Sequence, residues 1–133
     1  METVEICDES QIVDLEATFG FSLPSFYRKF LKSCPNQFYE NQIGTDIGLP
    51  YLINMNELGR DLLAERGSPF TLSENDFIFM MHQGYQFWWF DRSLGKGSPV
   101  YYYLEGDPEP RIAFPNFKTF VADLSQKPQQ DVG

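Results

Sequence analysis

The 133-residue chain predicts a single α+β domain, an antiparallel meander sheet with helices packed mainly on one face. Three observations carry that expectation. Helical periodicity dominates the first half, and short aromatic and β-branched runs separated by turn residues begin at Asp76. A last helical stripe then closes the chain. The domain is expected to span 1–133, with its core over about 8–125 and a frayed tail at 126–133.

Asp8 with Gln11 three residues on forms a capping box for a first helix, in which Ile12, Leu15 and Phe19 recur at helical spacing before Gly20 stops it. A second helix follows Leu23-Pro24, with Ser22 as a candidate cap and Pro24 in the first turn, where a missing N–H is harmless. Phe26, Tyr27, Phe30 and Leu31 form its apolar stripe and Arg28, Lys29 and Lys32 its polar side. Asn36 to Pro50 reads as a loop with one short strand near Ile47 to Leu49. Asn54 and Glu57 suggest a second capping box, opening a third helix with Leu58, Leu62 and Leu63 on one face and a stop at Gly67 and Pro69.

Strands are predicted at Phe77 to Met81, Tyr85 to Phe90 and Val100 to Leu104, with Arg111 to Phe114 as a returning fourth. His82-Gln83-Gly84 is a tight connection, Asp91 to Pro99 a longer one, and Glu105 to Pro110 an acidic turn stiffened by proline. Pro115 opens a closing helix with Phe117, Phe120, Val121 and Leu124 at i, i+3, i+4 and i+7.

In that order the chain resembles the SUKH superfamily, which joins fungal cell-wall synthesis regulators to many bacterial proteins, a large share of them immunity proteins against polymorphic toxins. The matching stretches are Leu23-Pro24-Ser25-Phe26-Tyr27 with Phe30-Leu31, and Phe77-Ile78-Phe79 leading to His82-Gln83-Gly84-Tyr85-Gln86-Phe87. Pro99-Val100-Tyr101 after a Gly-rich loop and the Phe117-Phe120-Val121 helix complete them, so that the resemblance covers about Ile12 to Leu124. Ser33-Cys34-Pro35-Asn36 replaces the Asn-Gly-Gly-type turn frequent in the family, so the loop after it is expected to be built differently. The resemblance implies an α+β fold and a protein-binding role.

Composition narrows the function further. A formal net charge of −9 repels phosphate backbones, which argues against direct nucleic-acid binding, and it favours basic partners. No apolar run approaches the roughly 20 residues needed to cross a bilayer. Met1 to Glu9 is acidic and unlike a secretion signal, so a cytoplasmic protein is expected. Two cysteines, Cys7 and Cys34, suit free thiols and cannot form a disulfide framework or a four-ligand zinc site. One histidine, His82, has only Asp76 and Asp91 as acids near it in sequence. Gly95-Lys96-Gly97-Ser98 is glycine-rich but lacks the spacing and the following helix of a phosphate loop. Glu105, Asp107 and Glu109 share one turn, where they make a charged surface more naturally than a pair of carboxylates facing across a cleft. No enzymatic activity, metal or cofactor is therefore expected.

Strand parity supplies a candidate interface. If Val100, Tyr102 and Leu104 point at the helices, Tyr101 and Tyr103 point away. Trp88 joins them if Tyr85, Phe87 and Trp89 point in. Trp88, Tyr101 and Tyr103 beside the acidic residues Asp91, Glu105, Asp107 and Glu109 would resemble the centre and rim of a protein interface. The competing expectation is that these rings are covered, by the Asn36 to Gly48 loop for example, and form a second small core. The expected partner is a basic toxin domain such as a nuclease, bound by a monomer or weak dimer. The alternative is a regulatory or scaffolding module acting on cell-wall synthesis or signalling proteins.

Overall fold

A computed structural model describes residues 8–33, 45–47, 52–65 and 70–126. Its elements run α1 (Glu9–Phe19), α2 (Ser25–Ser33), β1 (Thr45–Ile47), α3 (Leu52–Glu65), β2 (Asp76–His82), β3 (Gln86–Asp91), a 3-10 helix (Arg92–Gly97), β4 (Val100–Leu104), β5 (Arg111–Phe114) and α4 (Phe117–Gln126). The strands form one antiparallel sheet in sequential order, β1-β2-β3-β4-β5, as the meander expectation requires.

Local signals account for most boundaries. The Asp8 carboxylate accepts the Gln11 N–H while the Gln11 side chain accepts the Asp8 N–H, both at 2.9 Å, so the capping box at α1 is real. Gly20 ends α1 at φ +84, and its N–H donates to the Glu16 carbonyl. Between β2 and β3, the three-residue connection Gln83-Gly84-Tyr85 turns through positive φ at Gln83 and Gly84, and the Tyr85 N–H donates to His82 O. The Asn116 side chain accepts from the Thr119 N–H at 2.8 Å and caps α4.

Two boundaries differ from expectation. α2 begins at Ser25, so Pro24 stands just before the helix, where its carbonyl accepts from Tyr27 and Arg28, and Ser22 lies outside the helix. α3 begins at Leu52, which puts Asn54 inside its first turn and not at a cap. That start also shifts the buried stripe to Leu52, Met55, Asn56, Gly59 and Leu63, leaving Leu58 46% exposed. The Gly67-Pro69 stop, Cys7, Cys34 and residues 127–133 of the expected tail lie outside the described residues.

The sheet carries helices on both faces. On the first, Tyr27 of α2 sits among the rings of Phe30, Phe77, Phe90 and Phe117, with centroids 5.3–5.8 Å away. Phe19 and Phe21, at the end of α1 and just after it, meet Phe77 there, and Phe120 of α4 meets Phe79. An irregularity in β2 leaves Phe79 without a partner between the pairs Ile78–Trp89 and Met80–Trp88, and it joins Phe77 and Phe90 in this core. α3 takes the other face. A methyl on Gly59 would collide with Ile78 and reach Phe87, so a glycine is what lets the helix lie this close.

α3 also closes the edge of β2. β1 pairs only with Met80 to His82, so among the described residues no strand lies along the earlier half of β2 on the edge away from β3. The buried Asn56 carboxamide takes that place. Its Oδ1 accepts the Ile78 N–H at 2.8 Å and its Nδ2 donates to the Ile78 carbonyl at 2.9 Å. The second Nδ2 proton goes to Leu52 O, and Arg60 Nη1 reaches Oδ1 at 3.4 Å, so the group's hydrogen-bonding capacity is filled. Arg60, one turn on, donates to the carbonyls of Ser73 and Asp76.

Phe30→Ala is expected to lower stability by about 3–5 kcal/mol, because the ring is buried and packed on both Tyr27 and Phe117. Val121→Ala, at a half-buried position on the same core, is expected to lower it by less. Denaturant midpoints of both variants check this, and unchanged midpoints would mean that the helical stripes are misassigned.

Asn56→Ala strands the Ile78 N–H and carbonyl, at roughly 1–3 kcal/mol for each group left without a partner. Asn56→Asp is expected to be worse at neutral pH, since a carboxylate would face the Leu52 and Ile78 carbonyls. Acid is expected to relieve part of the Asp defect, because only a protonated carboxyl can donate. Urea unfolding at neutral and acidic pH measures both effects.

Candidate protein-binding surface

The register decides which aromatic residues share a face, because residues directly opposed in an antiparallel pair point the same way. Trp88 opposes Tyr102, whereas Trp89 opposes Tyr101 and Phe87 opposes Tyr103. Trp88 therefore lies on the opposite face from Tyr101 and Tyr103, and the expected cluster of three does not assemble. Tyr103 is only 1% exposed, ringed by Phe87 and Phe70, and its hydroxyl accepts the Gly106 N–H at 3.4 Å. It belongs to a second core, beneath Phe70 on the face that α3 occupies. Parity had put Phe87 and Trp89 on the side opposite Tyr101 and Tyr103. With both faces of the sheet covered, an apolar residue on either parity is compatible with burial, so alternation cannot orient β3 against β4.

The remaining predicted residues are divided by face and by strand end, Tyr101 lying on the face opposite Trp88 and Asp91 at the strand end away from the acidic turn. Tyr101 is half-buried, stacked on Trp89 at 5.6 Å, with its hydroxyl pushed above the usual tyrosine range by burial and by the nearby Asp91 and Asp76. Asp91 caps the 3-10 helix by accepting the N–H and hydroxyl of Ser93, so it does structural work at that end. Trp88 lies mid-strand on the opposite face from Tyr101, and the acidic turn follows β4 at the Gln86 end of β3. The Trp88 ring lies 4.9 Å from Tyr102, whose hydroxyl donates to Gln86 Oε1 at 2.8 Å. Burial and then the charge of Asp107 push Tyr102 upward as well, which puts the acidic turn electrostatically beside this pair.

The turn is held by its backbone. Glu105 N–H donates to Tyr85 O and Asp107 N–H to Leu104 O, both at 2.9 Å, and Gly106 takes φ +101. Asp107 is partly covered and lies 3.6 Å from Arg111, whereas Glu109 is exposed and has no ion pair among the described residues. Asp107 thus lies electrostatically near the half-buried Trp88–Tyr102 pair, and Glu105 and Glu109 share its turn. Tyr102, paired to Gln86 across the strands, is the member that sequence reasoning assigned to the interior.

Nothing here resembles a matched acid–base set. His82 and Asp76 sit at opposite ends of the seven-residue β2, roughly 20 Å apart at strand rise. The His82 ring lies against Tyr85 at 6.1 Å. Asp76 and Asp91 do oppose one another across β2 and β3, and burial followed by the Asp91 charge raises Asp76 above the usual carboxylate range. Both are engaged locally, however, Asp76 with the Ser73 N–H and Asp91 with Ser93. Among the described residues no group of three His, Cys, Asp or Glu side chains converges as metal ligands, and no helix is long and apolar enough to cross a membrane.

Comparison with known families gives one decisive match. The model of the SMI1 / KNR4 family (SUKH-1) matches residues 6–123, nearly the whole chain. The chain belongs to this family. Membership accords with the five-stranded meander and its helices, and it supports an immunity or regulatory protein-binding role. No curated protein and no solved structure matches the chain significantly.

Several acids are already committed within the fold. Arg28 makes a two-pronged contact with Glu9 at 2.9 and 3.1 Å and reaches Glu16 through Nε at 3.0 Å, while Lys32 also meets Glu9. Hydrogen bonds from Arg28 first and Lys32 second hold the Glu9 carboxyl at about 2, down from its ordinary 4.5, and Arg28 holds Glu16 low as well. A carboxyl depressed in the folded state contributes stability above its unfolded value and loses it as pH falls through its folded value. Arg28→Gln is therefore expected to be less stable than the parent at neutral pH, with the gap closing between about pH 4.5 and 2. Urea midpoints across that window test it, and a pH-independent gap would mean that Arg28 acts through packing alone.

Proposed function

We propose that this protein is an immunity protein that neutralises a cognate basic toxin domain, such as a nuclease, by binding it directly in the cytoplasm and without catalysis. Family membership supports a protein-binding role, and the observation on this chain that carries the finer reading is the half-exposed Trp88–Tyr102 pair beside the Glu105–Glu109 turn. A net charge of −9 draws a basic domain in by long-range attraction, and desolvated rings then hold it. Tyr103, being buried, Tyr101, on the opposite face, and Asp91, at the far end of β3, are left outside this surface.

A pull-down from cells expressing the neighbouring open reading frames identifies the partner, and surface-plasmon kinetics at low and high salt test the surface. Glu105→Gln, Asp107→Asn and Glu109→Gln together are expected to slow association about tenfold at low salt with little change in dissociation. Trp88→Ala is expected to speed dissociation roughly 30-fold, the equivalent of about 2 kcal/mol. Tyr101→Ala is expected to change neither rate. An unaltered association rate in the triple variant would defeat the steering argument. Recovery of a cell-wall synthesis or signalling enzyme as the partner would favour a regulatory module instead.

A further inference from the structure

One cleft runs against the charge of the whole chain. It has a volume of about 580 Å3 and lies between the start of α2 and the 3-10 helix. Pro24, Ser25, Phe26 and Lys29 line it on one side, and Arg92, Gly95 and Lys96 on the other. Three of these seven residues are cationic and none is acidic, although acids outnumber bases nineteen to ten in the sequence.

Each group has a structural reason to be there. Arg92 is held with its guanidinium over the Phe21 ring, 3.5 Å from the centroid, while Nη2 donates to Glu74 O at 3.1 Å. Nη2 also reaches Asn75 Oδ1 at 3.4 Å, so the guanidinium is fixed in place beside the cleft. Glu74 and Asp91 are the acids near Arg92, yet neither lines the cleft. Lys96 is exposed and makes no ion pair among the described residues. Pro24 just before α2 supplies its carbonyl to the Tyr27 and Arg28 N–H groups, and among the described residues no side chain accepts from the Ser25 or Phe26 N–H. Gly95 adopts φ +58 and ψ −143, a conformation that turns the chain back and keeps this wall free of a side chain.

We propose that this cleft binds a phosphate-class oxyanion, either free or as the terminal group of a small phosphorylated molecule. Cationic donors and open helix N–H groups recognise such an anion at close range, where the like-signed charges elsewhere on the chain are screened beyond about 10 Å. The site does not follow a phosphate-loop sequence. Gly95-Lys96-Gly97 is brought to the start of α2 by the fold, with no helix following the glycines. The volume exceeds what a single phosphate fills, which leaves room for an attached group. This binding is independent of the protein-binding surface, which lies at the Gln86 end of β3, away from the Asp91 end that leads into the 3-10 helix.

Amide-resolved NMR titration of the full chain at low ionic strength and near-neutral pH tests the site. Inorganic phosphate and a nucleoside monophosphate are the probes, and sodium chloride at matched ionic strength is the control. The expected result is a saturable shift centred on Ser25, Phe26, Gly95 and Lys96 that chloride does not reproduce. Equal affinity for both probes would assign the site to the free ion, and tighter binding of the nucleotide would assign it to a phosphorylated molecule. Lys96→Glu, with an unchanged melting midpoint, is expected to weaken binding about tenfold or more. Lys29→Gln provides a second variant, expected to weaken binding severalfold. Failure of both probes to saturate, shifts centred elsewhere, or parent-like binding by both folded variants would each overturn the proposal.

Discussion

The Asn56 carboxamide, paired with both main-chain groups of Ile78, is the contact on which the architecture turns. β1 is three residues long and covers only half of the β2 edge away from β3, an edge that in a buried setting would strand polar groups. One side chain acts there as a short substitute strand. It fixes the height and rotation of α3, after which Gly59 can slide under Ile78 and Arg60 can gather the Ser73 and Asp76 carbonyls. With α3 in place the second face of the sheet is covered, and Phe87, Trp89 and Tyr103 become interior residues.

That sequence of dependencies explains what the amino-acid pattern revealed and what it hid. Helices marked by a capping box or a glycine stop, as at Asp8 and Gly20, and strands marked by aromatic runs between turn residues were legible because their causes are local. The α+β class and the family resemblance followed from their order. The facing of β3 was not legible, because hydrophobic alternation identifies an inner side only when the other side meets water. Asn56 and Gly59 were equally silent. A polar residue and a glycine inside a helix look like weak points until the partner 22 residues away is known. The candidate surface was half legible for the same reason. The acidic turn and Trp88 came from composition and spacing, whereas Tyr102 needed the register.

Charge is sorted by place as much as by sign. Glu9 and Glu16 are spent on tying α1 to α2 through Arg28, and Asp91 is spent on capping, so these acids contribute little to recognition. Glu109 carries no such duty among the described residues. The basic residues of the cleft are few, but Arg92 is anchored by an aromatic face and a carbonyl, which spares it the entropy loss of a free side chain on meeting a ligand. A strongly acidic protein can in this way offer one site of the opposite sign without changing its long-range field.

β5 forms the outer edge of the sheet, and the Ile112 side chain on it is 63% exposed. An uncovered edge with an apolar side chain is a template on which another chain can add a strand and begin to aggregate. Here the strand is four residues long and is bracketed by Pro110 and Pro115, neither of which has an N–H to offer. An incoming strand would find too few donors to extend a ladder in either direction. The prolines that frame the acidic turn and the last helix thus also act as a guard against strand addition at this edge.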